Sequence, residues 1–286
     1  MSRSRQITVT VIGVIAAIAV IATLLKVVPS RVQPVVASAP NHTEISHGEV
    51  TADTTPVLDQ DALAQLELMG NYLRTLKDFK LAADVVTEDV RTDGQKVQII
   101  RSVELVARRP DRLFAEVKND RQRRLFFYDG KNFTLYAPRP EFYATVAAPS
   151  TIEKLADDLE DKYDIELPLV DLFRWGTPES DVKAITSATD LGPSAINDVT
   201  CEQYAFRQEG LDWQLWIQRG ENPLPCRIVI TTLTDEARPQ HTATYTWNLA
   251  PSFDDNTFVF RAPPLAKAIP IAEVPVVASS SNTARQ

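Results

Sequence analysis

The sequence predicts an α+β fold with its helices segregated from its strands, held outside the cytoplasm by an N-terminal transmembrane helix. Three observations predict it. Two long blocks of short period-two segments are separated by turn residues. A helical insert stands between those blocks. A 19-residue uncharged apolar run, Ile7 to Leu25, lies near the N terminus after Arg3 and Arg5.

The apolar run comes first in the chain. At 1.5 Å per residue it makes about 28 Å of helix, close to a hydrocarbon core of about 30 Å. The apolar core of a cleavable signal is shorter, roughly 7–15 residues. The site Ala37-Ser38-Ala39 is followed by Pro40, which disfavours cleavage there. Residues 1–25 therefore read as a cytoplasmic stub and an uncleaved signal anchor in the inner membrane. A soluble periplasmic body after signal cleavage is the alternative, and both place the body outside the cytoplasm. Residues 26–57, with Pro29, Pro34, Pro40 and Pro56, read as a flexible periplasmic tether. Residues 263–286 read as a disordered tail. The folded body is expected over 58–262.

The body opens on a helix. Asp59 or Asp61 caps it, and Leu63, Leu66, Met69 or Gly70, Leu73 and Leu76 recur at helical spacing. The period then becomes two. Strands are expected over 97–105, 113–118, 124–128, 133–136 and 142–146, separated by turns such as Asp129-Gly130 and Ala137-Pro138. The insert follows. Ser150-Thr151-Ile152-Glu153 forms a capping box, and Ile152, Leu155, Ala156, Leu159 and Tyr163 line one helix face. Asp157, Asp158, Glu160 and Asp161 crowd the opposite, solvated face. A second helix is expected over Pro168 to Trp175, ending at Gly176. It is apolar on most sides, so it is covered all round or faces a greasy cavity. Strands resume over 185–191, 198–208, 211–218, 226–233 and 242–249, with Glu209-Gly210 as a hairpin turn. Trp213-Gln-Leu-Trp216 does not alternate simply, so both sheet faces need cover there.

Charge narrows the function. The net charge is −8, and the first 40 residues carry four cations and no acid. The rest carries 26 cations against 38 acids, which repels nucleic-acid phosphate. No nucleic-acid partner is expected. Of the three histidines, His42 and His47 fall in the tether, and His241 in a Pro-Gln-His turn at the surface. No G-x-S-x-G, P-loop or G-x-G-x-x-G occurs. No catalytic residue, metal or cofactor is therefore expected, and an enzyme such as a hydrolase is the weakest class.

The order of particular residues carries a resemblance. Arg109-Pro-Asp-Arg, Phe126-Phe-Tyr-Asp-Gly, Leu135-Tyr-Ala-Pro138, Phe173-Arg-Trp-Gly176 and Trp213-Gln-Leu-Trp216 resemble the DUF2092 family of uncharacterised bacterial exported proteins. With Trp247-Asn248 and Asn256-Thr-Phe-Val-Phe260 they also resemble the wider lipoprotein-carrier superfamily of LolA/LolB-like folds. The resemblance covers about Leu58 to Pro264. It implies a strongly curved antiparallel sheet, an unclosed barrel, whose concave face is lidded by helices over a cavity for acyl chains. It also implies a lid latch at Arg109, the residue before the proline. The expected cavity residues are Leu169, Leu172, Phe173 and Trp175 from the insert, with Phe127, Phe133 and Tyr136 from the sheet; alternation must split the sheet aromatics between faces. The expected activity is a membrane-anchored periplasmic module that binds a lipid or acylated ligand. A periplasmic protein-interaction or sensor domain, with an unknown protein partner, is the alternative.

Cys201 and Cys226 complete the reading. With Glu209-Gly210 as the hairpin, Cys201 lies opposite Gln218, and Cys226 lies near Gln218 on the other side of that strand. Two strand spacings make about 10 Å, too far for a bridge. Two free, buried thiols are expected.

Overall fold

The computed structural model describes residues 58–180 and 182–273. The expected signal anchor, the tether and the chain beyond 273 lie outside these residues. Among the described residues no helix is long and apolar enough to cross a membrane.

Helix α1 (Gln60–Thr75) opens the body. Asp59 caps it, its carboxylate accepting from the backbone N–H of Asp61 and Ala62. Its apolar stripe, Ala62, Leu66, Met69 and Leu73, is buried. Six strands follow as an antiparallel meander: β1 (Asp78–Val90), β2 (Lys96–Arg108), β3 (Arg112–Lys118), β4 (Arg123–Tyr128), β5 (Asn132–Ala137) and β6 (Phe142–Ala147). A connection over 148–186 carries α2 (Ile152–Tyr163) and the one-turn α3 (Asp171–Arg174). Then come β7 (Ser187–Ile196), β8 (Val199–Gln208), β9 (Leu211–Gln218), β10 (Pro225–Thr232), β11 (Gln240–Asn248) and the short β12 (Lys267–Ala268).

All twelve strands form one sheet, in the order β12-β6-β5-β4-β3-β2-β1-β11-β10-β9-β8-β7. The two meanders join because β11 pairs antiparallel with β1, from Lys80↔Asn248 to Thr87↔His241. The sheet is curved and unclosed. Beginning and end of the insert therefore sit at opposite sides of the sheet. The connection leaves β6, crosses the concave face and re-enters at β7, the far edge. We call it the strap.

Alternation assigns the faces. Phe79, Leu81, Ala83, Val85 and Thr87 of β1 point to the concave side and are buried, while Lys80, Ala82 and Asp84 between them are exposed. Two apolar cores share that side. One packs α1 against β1 and β7–β11. The other packs α2 and α3 against β1–β5. They meet at Leu76, Val117, Leu169, Tyr245 and Trp247, which touch both.

Several expectations change. Strand β1 was not anticipated, and it is central. The helix expected over 168–175 is shorter, because Leu169 adopts φ +58° and α3 begins only at Asp171. Ordered chain continues past 262. Lys267 N–H donates to the Glu141 carbonyl and Ile269 N–H to the Tyr143 carbonyl, which adds β12 parallel to β6. His241 is not a surface turn residue; it lies in β11, half-buried, with Nδ1 3.1 Å from Thr87 Oγ1.

The expectation of free thiols is also corrected: Cys201 and Cys226 form a disulfide, with Cα atoms 6.9 Å apart. The pairing Cys201↔Gln218 is as expected. The difference lies in β10, where the register shifts between Pro225 and Arg227 and leaves Cys226 in a bulge. The bridge covers the convex face beside Trp216, Val229 and Ile196. That answers the need for cover created by two tryptophans on opposite faces of β9, since Trp213 stacks on Phe206 on the concave side.

The disulfide closes a loop over a sequence separation of 25. Loop entropy for that length gives about 3 kcal/mol. Cys226→Ser is expected to lower the unfolding free energy by about 2–4 kcal/mol in urea titrations. Thiol counting on the unfolded, non-reduced protein should find none.

Candidate functional site

The strap and the concave face beneath it gather the apolar and titratable side chains of greatest chemical interest. Thr151 caps α2, accepting from Lys154 N–H. The N-cap is thus Thr151, not Ser150, and Glu153 is freed from the expected capping box. Its carboxylate instead pairs with the Arg109 guanidinium. Arg109 comes from the β2–β3 turn, and its side chain is only 14% exposed. It also lies over the Phe173 ring, 4.9 Å from the centroid. Its Nε is buried without a hydrogen-bond partner, and burial lowers its pKa. One guanidinium therefore grips both strap helices, and is itself incompletely satisfied.

Other polar contacts clamp the two ends of the strap. Ala148 N–H donates to Lys131 O, Ile152 N–H to Pro110 O, and Tyr128 Oη–H to Pro149 O. At the far end Thr186 N–H donates to Arg207 O, and Arg74 donates to Gly176 O at 3.1 Å. Gly70 of α1 meets Gly176 backbone to backbone. A Cβ on Gly70 would stand 2.6 Å from Gly176 N, so neither position has room for a side chain.

The structure divides the expected cavity residues. Leu172, Phe173 and Phe133 are buried together under the strap. Leu169 touches both cores, and Trp175 packs edge-on against Trp213 at 6.1 Å. Phe127 and Tyr136 are not with them. Their partners Thr134 and Leu125 fix them on the convex face, where Phe260 covers both at 5.4 Å. Phe126, Tyr128 and Phe133 point inward. Sequence reasoning missed Tyr245 and Trp247, which lie at the seam between the cores; the period-two pattern of β11 carried that signal once β1 is placed beside it.

The strap also holds acids that sequence left on a solvated face. Asp157 and Glu160 of α2 bind Arg174 of α3 at 3.1 and 2.8 Å. Asp158 pairs with Lys162 one turn on. Glu166 and Asp171 are half-buried between the helices. Desolvation, reinforced by the charges of Asp171 and Glu160, pushes the Glu166 carboxyl up to about 8. Desolvation raises Asp171 as well, against the pull of Arg174. Nothing in the sequence marked Glu166. Among the described residues no three His, Cys, Asp or Glu side chains gather as a metal site.

The family described as a predicted periplasmic protein (DUF2092) matches over residues 62–272. No curated protein matches the chain. Among solved structures, the chain is similar to the Mycobacterium tuberculosis lipoprotein LppX, at 12% identity and a TM-score of 0.44, over 68% of this chain and 100% of that one. It is similar to LprF from Mycobacterium bovis at 14% identity and a TM-score of 0.42, over 74% and 100%. A LolA superfamily protein from Nitrosomonas europaea gives 12% and 0.33, over 70% and 97%. The expected DUF2092 family is thus found.

Glu166 yields a pH prediction. Its folded pKa of about 8 stands above the ordinary 4.5, so the folded state holds more protons between those values. Stability therefore falls as pH rises from about 4.5 to about 8. Glu166→Gln is expected to raise stability by about 1–2 kcal/mol at pH 8, after solvent screening, and to leave pH 4 unchanged. Urea midpoints at the two pH values measure it.

Proposed function

We propose that this chain, which belongs to the DUF2092 family of predicted periplasmic proteins, is a periplasmic module that binds an apolar ligand, a lipid or acyl chain, between the concave sheet face and the strap. One observation carries the reading. The middle of the strap meets the sheet through apolar side chains, while its polar attachments lie at its ends and at Arg109. Lifting that middle breaks no strand pairing, because the strap is a connection and not a part of the ladder. An acyl chain entering there replaces one set of apolar contacts by another, at little cost in burial.

Arg109 is the latch in this reading. Releasing Glu153 and the Phe173 ring frees both helices at once. Removal of a single carboxylate partner from a buried arginine is costly, so the closed state is favoured when no ligand competes. Binding, without chemistry on the ligand, is the proposed activity. The module is held at the inner membrane through Ile7 to Leu25, with its folded body in the periplasm.

A fluorescent fatty-acyl probe tests the pocket. Phe173→Asp is expected to abolish uptake, because a carboxylate there must be desolvated. Arg109→Leu is expected to speed probe exchange about tenfold or more while shifting the urea midpoint little. A wild-type body that binds no probe sinks the reading. Retention of the full-length chain in membranes after carbonate washing checks the anchor; release of a shorter soluble species would place cleavage after the apolar run.

A further inference from the structure

Beyond the apolar cores, towards the turn end of the β1–β2 hairpin, the concave face turns cationic. Arg101 of β2 stands beside Val85, and Arg124 of β4 stands beside Val117, which pairs with Val103 of β2. All five share the face that the helices cover. Both arginines are half-buried, and neither has an ion-pair or hydrogen-bond partner for its guanidinium among the described residues. Their neighbours are different. Arg123, one residue before Arg124 and on the convex face, is held by both oxygens of Glu116 at 2.9 and 3.1 Å. Arg108, Arg109, Arg174, Arg207 and Arg219 each have a carboxylate.

The two unpaired cations also repel each other. Burial lowers the Arg101 pKa, and the Arg124 charge lowers it further; Asp89, the acid that attracts it, stays beyond ion-pair distance at the strand end. Near Arg101, across β1, is His241. Its Nδ1 is engaged with Thr87, itself buried, and its Nε2 has no hydrogen-bond partner among the described residues. Burial and the Arg101 charge hold this histidine at about 4, so it is neutral in the periplasmic pH range. Half-buried, mutually repelling, unpaired arginines cost stability unless an anion joins them.

We infer that Arg101 and Arg124, with His241 flanking Arg101, form the binding site for the anionic head, a carboxylate or phosphate, of an amphipathic ligand whose apolar tail runs inward over Val85, Val103 and Val117. Continuity of the apolar floor with the two guanidinium groups joins the two halves. The inference rests on the apolar-ligand reading above and adds the class of ligand: an acidic amphiphile, not a neutral one.

Titration calorimetry with oleate, oleyl alcohol and inorganic phosphate tests it. Wild type is expected to bind oleate about tenfold or more tighter than oleyl alcohol, and phosphate alone about a hundredfold weaker than oleate. In the double variant Arg101→Gln, Arg124→Gln the preference for oleate should vanish and oleyl alcohol should bind as before. The unliganded double variant should melt no lower than wild type, since two repelling cations are gone. Arg101→Lys with Arg124→Lys should keep part of the preference. Equal binding of oleate and oleyl alcohol, unchanged in the variant, overturns the head-group site and leaves the apolar pocket standing. Phosphate binding as tightly as oleate makes this a free-anion site and overturns the amphiphile. Failure of both amphiphiles to bind wild type removes the apolar-ligand reading itself, and the inference with it.

Discussion

The ladder between β1 and β11 is the constraint on which the molecule depends. Eight facing pairs, from Lys80↔Asn248 to Thr87↔His241, fuse two meanders that are separated in sequence by the whole strap. On its other side β1 pairs with β2 over its full length. Once β1 is central, β6 and β7 lie towards opposite edges, and the chain between them must cross the concave face. Helix α1 enters β1 directly and is therefore delivered to the same face, where Gly70 meets Gly176 of the strap. Both apolar cores, the seam between them and the placement of Arg109 follow from one long-range pairing.

That pairing was the part of the fold least legible in the sequence. The two meanders, their turns and the insert follow from alternation and from turn residues such as Asp129-Gly130 and Glu209-Gly210. Strand β1 does not announce itself. Ala82 and Ala83 blur its period, and Val86 puts an apolar residue on the polar face. Its partner β11 lies far along the chain, with Thr87 and His241 separated by 154 residues, beyond any local signal. The cysteines teach the same lesson at finer scale. Register placed Cys201 opposite Gln218 correctly, but a bulge at Cys226 is a one-residue event that periodicity does not encode.

For the candidate site, residue type was legible and side was not. Leu172, Phe173 and Phe133 come together under the strap. Alternation said that the sheet aromatics must divide, but the expectation placed Phe127 inward, whereas Phe126 takes that side. The division depends on Phe260, which arrives from the C-terminal segment to cover Phe127, Tyr136 and Tyr143 on the convex face. Glu153 illustrates a competition. Its spacing suits a capping box, but a buried guanidinium nearby offers a stronger partner than a backbone N–H, and the ion pair wins.

The two faces of the sheet are fastened in different ways, and the difference decides where movement is possible. On the convex side the fastenings are directional and distributed. The disulfide ties β8 to β10; Arg108 pairs with Asp78 and Asp255 and lies over Phe253 and Phe258; Phe260 fills an aromatic cluster; β12 is hydrogen-bonded to β6. Releasing that face means breaking many unlike interactions along its width. On the concave side the strap is fixed at its ends, and between them it relies on non-directional apolar contact plus Arg109. Acids with raised pKa, Glu166 and Asp171, lie in this same stretch and weaken it as they ionise. Local opening is drawn from the least firmly held segment. Convex-side fastening therefore keeps the curvature of the sheet fixed while the strap moves, so that an opened concave face retains the shape against which an apolar chain packs.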